Sequence, residues 1–357
     1  MKVGILTYHN AQNYGAVLQC YALQQYIKKL GHDAIILDYR NERILLSYKL
    51  FRGRQLLVKN PFRFLFRLCS ELVLIKFRQK RRTIFDDFIQ KKIVLEDFSE
   101  KIINTIDLVI VGSDQVWNVH LTDGFHNPYW GCFPFRYDGR LISYAASVGQ
   151  FWSNADDGIA HKYLLNFSSI SVREENAAKY IANLTCKTIE IVADPTMLLN
   201  TTQWDGFSIN PLFPQKYVLL YEVRRSHNAL RIAKDIAKKN KIQLIRLPAS
   251  IDRLSDIQYS NISPQEFLGY IKNAEYVICT SFHGTLFSII FKRPFYAIYK
   301  NDGKNDRVEN LLSIVNLKER IIDRVPTSEL PIDWESVHKR LDDYKMASKI
   351  FLQKNLI

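Results

Sequence analysis

Long apolar runs are missing from this 357-residue chain. No stretch reaches the roughly 18 consecutive apolar residues that a membrane-crossing helix needs. Cysteine is scarce: Cys20, Cys69, Cys132, Cys186 and Cys279 are far apart, and none forms a C-x-x-C pair. That pattern excludes a disulfide framework and a structural zinc ribbon. Free thiols in a reducing compartment are the expectation. Glycine and proline are few, 14 and 11, as in an ordinary folded protein. Met1 to Tyr8 turns polar too soon for a signal peptide, so a cytoplasmic location is expected. Several motifs are missing as well. There is no G-x-G-x-x-G fingerprint, no Walker A loop and no G-x-S-x-G elbow. No carboxylates and imidazoles are spaced as metal ligands, and no glycosidase-like acid pair stands out. Neither a metal nor a tightly held cofactor is expected.

What the chain does have is positive charge, +13 overall, and it is uneven. Residues 49–92 hold 13 Lys or Arg against three acids, together with many Phe and Leu. A basic, Phe- and Leu-rich insertion at about 47–92 suits the surface of an anionic membrane. The same residues read equally well as a pair of surface helices packed on the domain. Nucleic acid is a weaker reading and is not expected as a partner.

Elsewhere strands and helices alternate. Residues 3–7, 34–37, 108–111, 141–149 and 169–173 read as strands, and a helix over 16–30 stops at Gly31. Residues 188–193 form a further strand, which Asp194-Pro195-Thr196 breaks. The second half repeats the pattern, with strands at 217–221, 243–246, 276–279 and 295–298. Helices are expected over 228–239, 263–273, 284–291 and 310–315, and a last one over 334–356. Continuous alternation means parallel sheets covered on both faces. We expect an α/β protein of two doubly wound, Rossmann-like domains, 1–195 and 196–333, facing a cleft. The final helix, 334–357, is expected to pack back on the first domain.

Chemistry concentrates at strand-to-helix junctions, where such sheets bind ligands. Cys279 ends a strand and Thr280-Ser281-Phe282-His283-Gly284-Thr285 follows. An imidazole there can give and take a proton beside an anion held at a helix start. Other junctions bring Asn13, Tyr14 and Gly15; Ser113, Asp114 and Trp117; and Arg173. Lys300, Lys304 and Arg307 follow the strand at 295–298. Together they suggest a site for a small anion with two charged ends and one acid/base group. Quieter roles are open for each: Arg173 as a surface ion-pair partner of Glu174 or Glu175, Asp114 as a turn residue, His283 as a cap. His9 is a further loop candidate. Trp117 and Tyr144 suit either a sugar face or the core.

Five segments in this order resemble the polysaccharide pyruvyl transferases over about residues 1–320. They are Asn-Tyr-Gly-Ala-Val-Leu-Gln (13–19), Val-Gly-Ser-Asp-Gln-Val-Trp (111–117), Ser-Val-Arg (171–173), Asp-Pro-Thr-Met-Leu-Leu (194–199) and Thr-Ser-Phe-His-Gly-Thr (280–285). The resemblance implies a GT-B-like fold and metal-independent transfer. The donor would be phosphoenolpyruvate, a co-substrate, and the acceptor a lipid-linked or free glycan of a capsule or exopolysaccharide. The product would be a pyruvate ketal. It also implies Arg173 at the donor and His283 as the acid/base group. Many members carry Arg where this chain has Ser281, so one anion contact is left to Lys300, Lys304 or Arg307.

On that basis Arg173 would grip one end of the donor, and the Gly284 and Thr285 amides the other. Asn13, Tyr14, Gly15, Ser113, Asp114 and Trp117 would face the acceptor. The basic segment would hold the enzyme at the inner face of the plasma membrane. Two other functions stay open. One is a GT-B glycosyltransferase using a nucleotide sugar, with Glu222 or Asp252 on the ribose. The other is a non-catalytic partner in a glycan-assembly complex.

Overall fold

The computed structural model describes every residue except 52–60, 213–214, 224, 249, 252, 254–257, 300–304 and 329–330. The chain forms two compact units. One comprises Met1–Tyr48, Phe88–Leu199 and Leu341–Ile357; the other comprises Lys49–Asp87 and Asn200–Arg340.

The first unit holds a parallel sheet of seven strands: β1 (Lys2–Leu6), β2 (Asp33–Asp38), β3 (Leu95–Asp97), β4 (Leu108–Val111), β5 (Arg140–Ala146), β6 (Ser169–Val172) and β7 (Ile189–Ile191). Their order is β3-β2-β1-β4-β5-β6-β7. The order therefore turns around between β1 and β4, where Val3 faces Leu108 and Leu6 faces Val111. Such a reversal opens a crevice at the carboxyl ends of the two strands. Every residue of β4 is apolar and buried, as a strand covered on both faces requires. The helices of this unit are α1 (Tyr14–Lys29), α2 (Glu42–Ser47), the last turn of α3 (Pro61–Lys92), which otherwise belongs to the second unit, α4 (Glu100–Ile103), α5 (Val119–Thr122), α6 (Asp157–Leu164) and α7 (Glu175–Ala182).

The second unit has α8 (Thr201–Phe207), β8 (Tyr217–Glu222), α9 (His227–Asn240), β9 (Gln243–Pro248), α10 (Pro264–Lys272), β10 (Tyr276–Cys279), α11 (Phe282–Ile290), β11 (Phe295–Ala297) and α12 (Asp306–Ile314). Its parallel sheet runs β11-β10-β8-β9. Here the order turns around between β8 and β10. A last helix, α13 (Trp334–Asn355), contributes its C-terminal part to the first unit. There Ser348 Oγ accepts the Ala193 amide at 2.7 Å, and Phe351 lies beside Tyr144.

The α/β class and the doubly wound sheets are as the alternation implies. Two details differ. Sequence reading passes over β3, because an edge strand of three residues, Leu-Glu-Asp, carries almost no apolar signal. Among the described residues, the basic segment contributes one helix of 32 residues, α3, where a pair of helices was expected. Its buried stripe, Glu71, Leu74, Arg78 and Arg81, follows helical spacing. Arg78 donates to the carbonyls of Leu50 and Ile251 and to Glu71 at 2.5 Å, and Arg81 donates to the Ser260 carbonyl. Part of the positive charge therefore serves internal carbonyls of the second unit.

Candidate functional site

In the first unit, the loops after β1 and β4 meet across the reversal of strand order. Thr7 Oγ1 donates to the Ser113 carbonyl at 3.0 Å, and Gln19 Nε2 donates to Thr7 Oγ1 at 2.8 Å. Tyr8 OH donates to the Gln115 carbonyl at 2.6 Å. Gly112, at φ 122°, forms the turn; a Cβ there would lie 2.3 Å from the Tyr144 carbonyl oxygen, so only glycine fits. Asp114, at φ 69°, accepts the Gln115 amide on Oδ1 at 2.9 Å, the local hydrogen bond of a turn residue. Asn13 caps α1, its side chain accepting the Gly15 amide.

Several residues expected to face an acceptor belong instead to the interior. Trp117 is fully buried, lies 5.1 Å from Trp130 in a stacked pair, and donates its Nε1–H to the Tyr129 carbonyl. Both ring faces are covered, so it holds the core. Tyr144 is also fully buried, with its hydroxyl on the Ala193 carbonyl. Tyr14, Gly15 and Ser113 are buried too. His9 is buried and sits 2.9 Å from Asp38 Oδ1 at the end of β2. Asn13 and Asp114 keep partial exposure at this end of the sheet.

Arg173 leaves the end of β6 and is 4% exposed, so it is not a surface ion-pair partner. Its Nη1 donates to Asp194 Oδ2 at 2.6 Å and its Nε to Glu174 Oε1 at 3.2 Å. Ser147 Oγ donates to the same Glu174 oxygen at 2.7 Å. Asp194 is fully buried; its Oδ1 accepts the Thr196 amide at 3.0 Å and the Thr196 hydroxyl at 2.6 Å. Burial opposes the charged guanidinium, but Glu174, Asp194 and Asp114 outweigh it and hold its pKa above the ordinary arginine value. Two carboxylates already compensate this cation. These bonds tie the end of β6 to the segment after β7.

The sequence missed Asp194 as a partner, because Asp before Pro reads as a linker break. It also missed Tyr344 of α13. Its hydroxyl is pushed up to about 12, first by burial and then by Glu174, with Arg173 opposing. Only helical periodicity marked that region, and periodicity does not say which residue faces a charge cluster.

In the second unit, β10 ends at Cys279 and α11 begins at Phe282, two residues earlier than the sequence pattern suggested. His283 thus stands in the first turn of the helix, beside the reversal between β8 and β10. It is 8% exposed and meets the Phe282 ring edge-on at 5.1 Å. Ser281 is the N-cap: its Oγ accepts the Gly284 amide at 3.1 Å and its carbonyl accepts the Thr285 amide at 3.0 Å. The Gly284 and Thr285 amides are consumed inside the helix, which overturns the anion-holding role assigned to them. Thr285 Oγ1 also bonds back to the Ser281 carbonyl. What α11 offers an anion is the positive end of its dipole, next to His283. Arg307 lies in the first turn of α12, a helix packed against α11. Lys300 and Lys304 lie outside the described residues, as does Asp252. Glu222 accepts the Ser226 amide on Oε1 and Arg246 Nε on Oε2, each at 2.8 Å. Both oxygens of that carboxylate are engaged. Among the described residues, no cluster of His, Cys, Asp or Glu suits a metal ion. Among them, too, no helix is long and apolar enough to cross a membrane.

Each doubly wound unit thus gathers polar and ionisable side chains at the carboxyl ends of its strands, the arrangement of a small-molecule enzyme of the α/β class. A family model described as polysaccharide pyruvyl transferase matches residues 13–302, and the chain belongs to that family. Comparison with curated protein sequences gives no match. Solved structures with similar chain traces include a putative UDP-N-acetylglucosamine 2-epimerase from Listeria monocytogenes (9% identity, 97% of this chain and 89% of that one, TM-score 0.49). Others are UDP-GlcNAc 2-epimerase from Methanocaldococcus jannaschii (15%, 97% and 93%, 0.42) and an O-GlcNAc transferase mutant from Thermobaculum terrenum (10%, 97% and 64%, 0.42). At such scores and identities, nothing of their chemistry carries over to this chain.

Proposed function

We propose that this chain moves a pyruvyl group from phosphoenolpyruvate to a sugar of a surface polysaccharide or its lipid-linked precursor. Phosphate leaves and a pyruvate ketal forms. One observation carries the reading. Four of the five segments of the resemblance stand at or just after the carboxyl ends of parallel strands, β4, β6, β7 and β10, and the fifth opens α1, the helix that follows β1. They gather at the ends of the sheets where folds of this class bind ligands, with most of their side chains buried beneath the loops.

The chemistry sets what the side chains must do. A proton is delivered to the methylene carbon of the enol, and the adjacent carbon becomes oxocarbenium-like. One sugar hydroxyl attacks that carbon and loses its proton. Phosphate then departs with its bonding pair, and a second hydroxyl of the same sugar adds to that carbon and loses its own proton to close the ketal. His283 is the proton donor in this reading. The dipole of α11 and the cation of Arg307 favour the donor's two anionic groups. Arg173 works indirectly, by fixing the loops around Ser147, Glu174 and Asp194.

Phosphate release from phosphoenolpyruvate, measured with a panel of simple and lipid-linked galactosides, glucosides and mannosamine derivatives, tests the proposal. Release that depends on one acceptor is expected. A thermal shift with phosphoenolpyruvate complements it, since a ligand at about 100 times its Kd adds about 2.7 kcal/mol. Stabilisation by nucleotide sugars only, with no phosphate released for any acceptor, would replace this function with glycosyl transfer.

A further inference from the structure

We propose that the N-terminal half of α3 docks the protein on an anionic lipid surface. The two halves of this helix differ. From Glu71 onward a stripe of residues is buried, and Arg78 and Arg81 anchor it to carbonyls of the second unit. From 62 to 70, no described side chain is buried. Phe62, Leu65 and Phe66 are 83%, 59% and 67% exposed, and Phe64, Leu72 and Val73 join them on the surface. A soluble helix that packs on its own protein does not leave its aromatic side chains in water on this scale.

Charge identifies what covers this face. Lys76 and Lys80 are exposed, and by helical spacing they share a face with Phe62, Phe66 and Val73. The single acid between 62 and 80, Glu71, is buried and ion-paired with Arg78. The first turn of α3 carries no acidic residue. Exposed apolar side chains in line with exposed cations on one helix face fit an interface of acyl chains and lipid phosphates. A second protein surface would need a matching acidic rim. The helix lies on the bilayer and does not cross it. The attachment is independent of the donor chemistry.

Co-sedimentation of the full chain with vesicles tests this. Binding is expected to mixed phosphatidylglycerol–phosphatidylcholine vesicles, not to pure phosphatidylcholine, and to weaken sharply in high salt. F62S/L65S/F66S should lower partitioning about tenfold or more, with an unchanged urea midpoint because these side chains are exposed. K76Q/K80Q should lower it about 25-fold, at roughly fivefold per cation near the surface. Absence of binding to the anionic vesicles, equal binding to the neutral ones, or wild-type partitioning by the triple variant would overturn the proposal. So would self-association of the chain that the triple variant abolishes, if no vesicle binding accompanies it.

Discussion

Replacing Asp194 by Asn gives the sharpest test of how the first unit is held together. Asp194 is fully buried and both its oxygens accept hydrogen bonds. Oδ2 takes Arg173 Nη1 at 2.6 Å and Ser113 Oγ at 3.5 Å; Oδ1 takes the Thr196 amide and hydroxyl. An asparagine of the same shape must point its NH2 group at a donor whichever way it turns. It also leaves the buried guanidinium with one carboxylate in place of two. Breaking a buried ion pair from one side costs about 3–5 kcal/mol. Glu174 stays beside Arg173, so the lower end of that range is expected, about 3 kcal/mol. For a unit of this size each kcal/mol moves the melting point about 2–4 °C, giving a fall of about 6–12 °C. Scanning calorimetry, with urea unfolding as a second probe, reads it. A D194N protein within about 1 kcal/mol of the wild type would refute the reasoning.

Other expectations follow from the same geometry. H283A should lose about 10²–10⁴ in turnover with phosphoenolpyruvate binding largely kept; normal turnover would remove His283 from the chemistry. S281A should cost about 1 kcal/mol in the second unit through the lost α11 cap, read as a lower urea midpoint. An unchanged midpoint with weakened phosphoenolpyruvate binding would make Ser281 a donor contact instead of a cap. Burial tends to raise the Asp38 carboxyl, but hydrogen bonds from His9 and Arg40 prevail and hold it well below the usual range. Its stabilisation is therefore present above the ordinary aspartate value of about 4 and lost as pH falls through the lowered one. D38N should flatten the acid side of a stability–pH curve, and an unaltered acid slope would contradict the pairing.

The strands and their parallel class were legible because buried runs such as Leu108–Val111 are apolar at every position, and the helices because their apolar spacing is regular. The junctions were legible for the same reason, since the end of a strand marks where ligands gather. What those junction residues touch was not legible. Trp117 and Tyr144 are stacked or covered by residues far along the chain, and no local pattern reports that. Arg173 follows Ser-Val at a strand end, as a ligand-binding arginine does, yet its partner Asp194 is 21 residues away. Ser281 seemed to be a missing cation; in three dimensions it is a helix cap. The basic segment mixed two populations that sequence cannot separate: Arg78 and Arg81, buried on carbonyls, and the exposed cations Lys76 and Lys80 on the same helix.

The most direct measurement is the reaction run in D2O with phosphoenolpyruvate and the acceptor that supports phosphate release, followed by mass spectrometry of the glycan. Protonation of the enol carbon during transfer predicts one deuterium in the methyl group of each ketal formed, with H283A slowing its appearance in step with phosphate release. A transferred group without deuterium, or one that keeps its double bond as an enol ether, would contradict the account.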